Sequence, residues 1–170
     1  NSPITQPNAA CAQHTNTNAS PMIIANNCNS YVGATRVLEC TLQIGNDGES
    51  GTLSAANITN NGTLRFDRSG TLAVPNEISG TGGLHIDGPS GTIELHATNS
   101  FEGNVTITTG TLNIDRAAAL GSGTKSVELT TGLGSLHLDG AAISIPASVT
   151  FNTSGEPSPG RIHNVTGDNL

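Results

Sequence analysis

Four aspartates close short alternating phrases at matching places: Thr63-Leu64-Arg65-Phe66-Asp67, Gly83-Leu84-His85-Ile86-Asp87, Thr111-Leu112-Asn113-Ile114-Asp115 and Ser135-Leu136-His137-Leu138-Asp139. Carboxylates repeated in this way could form a ladder along one edge that holds calcium. They could also pair as the acid and base of a polysaccharide hydrolase, whose carboxyl groups stand about 5–5.5 Å or about 6.5–9.5 Å apart. The simpler expectation is a turn ladder, because Asp accepts hydrogen bonds from the backbone just beyond it and so opens turns at low cost. The Gly-Gly-x-Gly-x-Asp nonapeptide of calcium-binding repeats has no copy here. Arg65, Arg68 and Arg116 are expected to neutralise part of the acidic edge. His85 and His137 take the outward place in their phrases and His96 follows Leu95 in an equivalent strand, so the three could stack as an imidazole row that binds metal or responds to pH. Without neighbouring Cys or a shell of carboxylates, they read as polar strand residues.

Cys11, Cys28 and Cys40 all lie in the first quarter of the chain. An odd count fits one disulfide plus a free or intermolecular thiol, or three buried thiols, and the pairing stays open. Cys11-Ala12-Gln13-His14 has a metal-like gap, yet a closed zinc site needs four ligands and the companion pair is missing. There is no Gly-x-Ser-x-Gly, and Gly80-Thr81-Gly82-Gly83 lacks the lysine and helix of a phosphate loop. Aromatic platforms, a basic cluster beside the carboxylates and long loops that could wall a cleft are also missing. No catalytic, cofactor-binding or metal residue is assigned, and the chain reads as non-enzymatic, with a polysaccharide-cleaving enzyme as the catalytic alternative.

Gly, Thr, Asn and Ser supply 77 of the 170 residues, aromatics only 2% and charged residues 11%, where soluble domains have about 25% charged. This composition excludes a conventional helical or α/β enzyme. The net charge is -7 and Lys125 is the only lysine, so a basic footprint for nucleic acid or an anionic membrane is lacking. No run of 18 apolar residues and no basic, apolar leader occur in the sequence, which is expected to be a mature product or a fragment. Residues 1–21, with Pro3, Pro7 and Pro21 in an Asn/Thr/Ala background, have too little apolar content to offset ordering and read as a flexible arm. The folded part is expected over 22–170, with 22–40 as a candidate N-terminal cap.

The four phrases, together with Thr41-Leu42-Gln43-Ile44-Gly45, place leading leucines at 42, 64, 84, 112 and 136, at intervals of 22, 20, 28 and 24. Periods of about 20–50 residues mark solenoids. Alternation sends Leu42 and Ile44, Leu64 and Phe66, Leu84 and Ile86, Leu112 and Ile114, and Leu136 and Leu138 to one face as the repeat core. Further short pieces lie between them, among them Gly91-Thr92-Ile93-Glu94-Leu95, Asn104-Val105-Thr106-Ile107 and Ser126-Val127-Glu128-Leu129, each read as a separate strand bounded by turn residues. Two or three strands per 20–28-residue period predict an all-β, right-handed parallel β-helix whose slender core has little room for a Trp or several Phe. A β-sandwich is the alternative fold.

The stretch from Ile78 to Leu112, including Gly80-Thr-Gly-Gly-Leu84, Asn99-Ser-Phe-Glu-Gly103 and Thr109-Gly-Thr-Leu112, followed by Ala117-Ala-Ala-Leu-Gly121, resembles the autotransporter-associated β-strand repeat. The likeness covers one copy at 78–123, with weaker traces over 42–77 and 124–145, and departs from the repeat in lacking a lysine after Gly-Gly-Leu. It implies a right-handed parallel β-helix exported to the cell exterior as the passenger stalk of a surface protein. No translocating barrel is legible on this chain, and Arg161–Leu170 reads as another coil stopped short. The expected role is therefore an extracellular, structural or adhesin-type surface segment. Its partner is the rest of a larger surface protein, or itself through end-to-end stacking into a filament, with a cell-surface glycan as a candidate ligand.

Overall fold

In a computed structural model, residues 21–27, 32–130, 133–154 and 161–168 are described. The strands are β1 (Met22–Ile24), β2 (Thr35–Val37), β3 (Thr41–Gly48), β4 (Ile58–Asn60), β5 (Thr63–Arg68), β6 (Thr71–Val74), β7 (Ile78–Ser79), β8 (Gly83–Leu95), β9 (Val105–Ile114), β10 (Lys125–Leu129), β11 (Gly134–Asp139), β12 (Val149–Thr153) and β13 (Arg161–Thr166). A single 3-10 turn, Ala117–Leu120, is the only helical element among the described residues. Every described strand pair is parallel, in one sheet of ten strands and one of three. Antiparallel pairing, on which a sandwich depends, does not occur among them. The chain is a parallel β-solenoid of about six turns.

Register divides the large sheet into two rows of inward side chains. In the first, Met22, Leu42, Leu64, Leu84, Val105, Val127 and Phe151 lie above one another, at successive intervals of 20, 22, 20, 21, 22 and 24 residues. In the second, Leu72, Ile93, Leu112, Leu136 and Ile162 are stacked. Strands β8 and β9 run through both rows without a break, joining pieces that the sequence presents as separate. Gly88, Gly91 and Gly110 make the corner between the rows, and a side chain on Gly88 would overlap the backbone of Arg68 on the preceding coil. The small sheet stacks Val37 on Asn60 and Ile58 on Ile78, and closes the third side.

This register corrects one expectation. The step of 28 residues from Leu84 to Leu112 is not one coil. Leu84 pairs with Val105, one coil on, and Leu112 follows Val105 along the same strand β9. The five phrases therefore occupy two rows, 42, 64 and 84 in the first and 112 and 136 in the second.

The ten phrase residues from Leu42 to Leu138 are between 0% and 8% exposed. Phe66, placed in the core by its phrase, and Phe101 are both fully buried among the aliphatic side chains. It also holds polar groups. Asn99 accepts from the Ile78 amide at 2.8 Å and donates to the Ala119 carbonyl at 2.7 Å, tying three successive coils. Asn76 donates to the Ser54 and Ala56 carbonyls, and Asn60 to that of Gly83. Each amide satisfies backbone groups at a corner where ladder pairing stops.

Candidate binding face

Alternation that buries the leucines sends the intervening side chains outward in two parallel rows. Gln43, which is buried, Arg65, His85 and Thr106 follow one another above the first inward row, and Ala73, Glu94, Asn113, His137 and His163 above the second. These rows carry the titratable groups of this face.

The expected single ladder of Asp67, Asp87, Asp115 and Asp139 is instead two pairs. Phe66 stacks on Ile86, bringing Asp67 and Asp87 to adjacent coils of the first row, whereas Asp87 itself pairs with Thr109 and not with a residue near Asp115. Ile114 stacks on Leu138, which places Asp115 and Asp139 on adjacent coils at the end of the second row. Their carboxylates bind side chains of their own and of neighbouring coils. Arg65 bridges Asp67 and Asp87, Gln43 donates to Asp67 at 3.1 Å, His96 and Arg116 bind Asp115, and Asn113 and Thr166 donate to Asp139.

The imidazoles are likewise separated. His85 sits in the first row and hydrogen-bonds Thr108 at 2.9 Å; His96 lies beyond the second row between Glu94 and Asp115. His137 stacks on His163, with ring centroids 5.1 Å apart. That neighbour was missed from the sequence, although His163 stands in the phrase-like run Arg161-Ile-His.

Burial and hydrogen bonding set the proton affinities. Burial pushes the Asp67 carboxyl above its ordinary value, with Asp47 adding to the rise and Arg65 opposing it. Asp115 is held below its ordinary value chiefly by the hydrogen bond from Arg116. Burial lowers His85, and lowers His137 with the help of His163. Arg65 engages both members of the Asp67/Asp87 pair. Among the described residues, no group of three or more His, Cys, Asp or Glu converges to hold a metal ion.

Two cations are turned inward. Arg68 shares strand parity with Leu64 and Phe66, is 5% exposed, and donates to the Gly51 and Glu49 carbonyls instead of the acidic edge. Lys125 shares parity with Val127 and Leu129, is 4% exposed, and donates to the carbonyls of Phe101 at 2.7 Å and Leu120 at 2.8 Å. Parity along the strand was the available signal for both. Cys40 is disulfide-bonded, while Cys11 and Cys28 lie outside the described residues.

A pocket of about 190 Å³ lies where the second inward row begins, bordered by Leu53, Phe66, Leu72 and Val74. It falls short of the ~300–1,000 Å³ of ordinary small-molecule sites. Here residues 52–55 pass below β6 without strand pairing, so the pocket marks an incomplete rung.

Taken together, the chain is a slender parallel solenoid with polar outward rows in which Arg65 and Arg116 pair with Asp67, Asp87 and Asp115. A 54-residue stretch, 32% of this chain, is 54% identical to the Adhesin BmaC autotransporter of Brucella suis biovar 1 (strain 1330). The match spans 2% of that protein, so this chain corresponds to a small part of its relative. No family model matches the chain, and no solved structure matches it significantly. The local identity and the parallel solenoid fit the autotransporter-associated, passenger-type resemblance drawn from residues 78–123.

Proposed function

We propose that the chain is a run of coils from the extracellular passenger of an adhesin-type surface protein, with a mechanical and non-catalytic role. The observation that carries this is the unbroken parallel register from Met22 to Phe151, combined with the local likeness to an autotransporter adhesin. A solenoid has contacts only between neighbouring coils, so coils can be added without redesign and the rod holds a distal region away from the cell. Its Thr-, Asn- and Ser-rich exterior, with acids already paired to Arg65 and Arg116, suits a spacer that resists unspecific association. An antibody raised against the chain should label intact cells of the source organism. Labelling only after permeabilisation would overturn the reading, and release of reducing ends from polysaccharides would overturn its non-catalytic part.

A second reading, end-to-end assembly into a filament, has one observation in its favour. Ile162 continues the inward row of Leu112 and Leu136, both 0% exposed, yet is itself 43% exposed, and Val165 beside it is 48% exposed. A further rung laid on this end would cover both, whether from the same protein or from another copy. Uniform filaments of the purified chain in negative-stain electron microscopy would favour the copy; isolated short rods would favour a longer parent chain.

A further inference from the structure

We propose that His137 and His163 form a two-histidine chelate for a divalent transition cation on the outward side of β11 and β13. The two residues are direct register partners on adjacent parallel strands, so the backbone holds both imidazoles side by side on one face. Their ring centroids are 5.1 Å apart in an edge-to-face arrangement. An ion held about 2.0–2.1 Å from one nitrogen of each ring in tetrahedral geometry places the two centroids about 5 Å apart. The chelate requires the rings to turn about χ2 so that a lone pair of each meets at one point. β13 is exposed along its whole length, so an ion reaches the pair from solvent.

The surroundings favour a cation at this place over the other imidazoles. Asp139 lies two residues from His137 on the same face, with its carboxylate fixed by Thr166 at 2.9 Å and by Asn113. Arg161, two residues before His163, is the cation of this strand and is exposed at the far edge, level with Ser135. His85 instead lies directly beside Arg65, and His96 has both ring nitrogens turned to carboxylates. With two protein ligands, the remaining positions fall to water. Imidazole nitrogens select Cu²⁺, Ni²⁺ and Zn²⁺ over Ca²⁺ or Mg²⁺, with copper held most tightly.

Titration of the full chain with NiCl2 or ZnCl2 at pH 7.5, followed by calorimetry, should give one ion per chain. His137→Gln and His163→Gln should each weaken binding by about tenfold or more, a loss of at least about 1.4 kcal/mol. Circular dichroism of the variants checks that they remain folded. In the wild type, trace Ni²⁺ should broaden the ring-proton resonances of these two histidines before those of His85 and His96. An isotherm of the His137→Gln/His163→Gln double variant that superposes on the wild type, or broadening confined to other histidines, would overturn the proposal.

Discussion

The Lys125 ammonium lies 4.0 Å from the centre of the Phe101 ring while donating to the Phe101 carbonyl, so one side chain clamps both the face and the backbone of a residue on the preceding coil. Its second hydrogen bond, to Leu120, ties the 3-10 turn to the same point. The cation is desolvated, and the ring face and two carbonyl dipoles replace its water.

Lys125→Met should therefore destabilise the rod by about 2–3 kcal/mol, because two buried carbonyls lose their donor. The difference depends on pH. Burial lowers the Lys125 pKa from 10.5 to about 8. Between these values the folded chain has released a proton that the unfolded chain keeps, so stability from this group rises with pH across that window and is lost as pH falls through about 8. Urea titrations at pH 7.5 and pH 10 should show wild type gaining on Lys125→Met, by at most about 3 kcal/mol. A constant difference would place Lys125 in water.

Leu64→Asp and Leu112→Asp each put an unpaired carboxylate into a fully buried row, at a cost of several kcal/mol. Both should abolish the β-sheet circular dichroism signal or the cooperative melt. Asp87→Asn should change stability by less than about 1 kcal/mol, because its partner Arg65 is partly exposed and retains Asp67. An unaltered melting curve for Leu112→Asp would refute the inward assignment.

Asn99→Ala leaves the Ile78 amide and the Ala119 carbonyl without partners in the interior. The expected loss is about 2–4 kcal/mol, read from thermal or urea denaturation. Asn99→Asp keeps the acceptor for Ile78 but points a carboxylate at the Ala119 carbonyl, so it should not restore stability above the alanine variant at neutral pH.

Gly88→Ala tests the corner between the two inward rows. A methyl group there meets the Arg68 backbone, which cannot swing aside as a side chain could. The strand must shift, at a cost of about 1–3 kcal/mol, and amide exchange should quicken first in β5 and β8 on either side of the corner.

Much of this architecture is legible from residue order because a half-buried strand leaves its mark within five residues. The alternation of Leu64, Arg65 and Phe66, or of Leu136, His137 and Leu138, states which side chains face inward, and recurrence about every twenty residues states that the strands stack in coils. The same parity would have placed Lys125 with Val127 and Arg68 with Phe66. Only the carbonyls of Phe101, Leu120, Gly51 and Glu49, brought together by the coils, make those burials tolerable.

What the amino-acid order could not decide is which row each phrase joins. Any row demands the same inward–outward alternation, so Gly83-Leu84-His85 and Thr111-Leu112-Asn113 look equivalent, although Leu84 lies on Val105 and Leu112 on Ile93. That choice depends on where the chain turns a corner, which is set by the close approach of Gly88 and Gly110 to the coil before. From it follow the separation of the four aspartates into two pairs and the meeting of His137 with His163, a contact between residues 26 positions apart that no local pattern specifies. Local alternation and its period are short-range steric and burial preferences, written in the order of residues. Neighbours across coils are decided by tertiary packing, because each row must fill its layer while the backbone at every corner finds its hydrogen bonds.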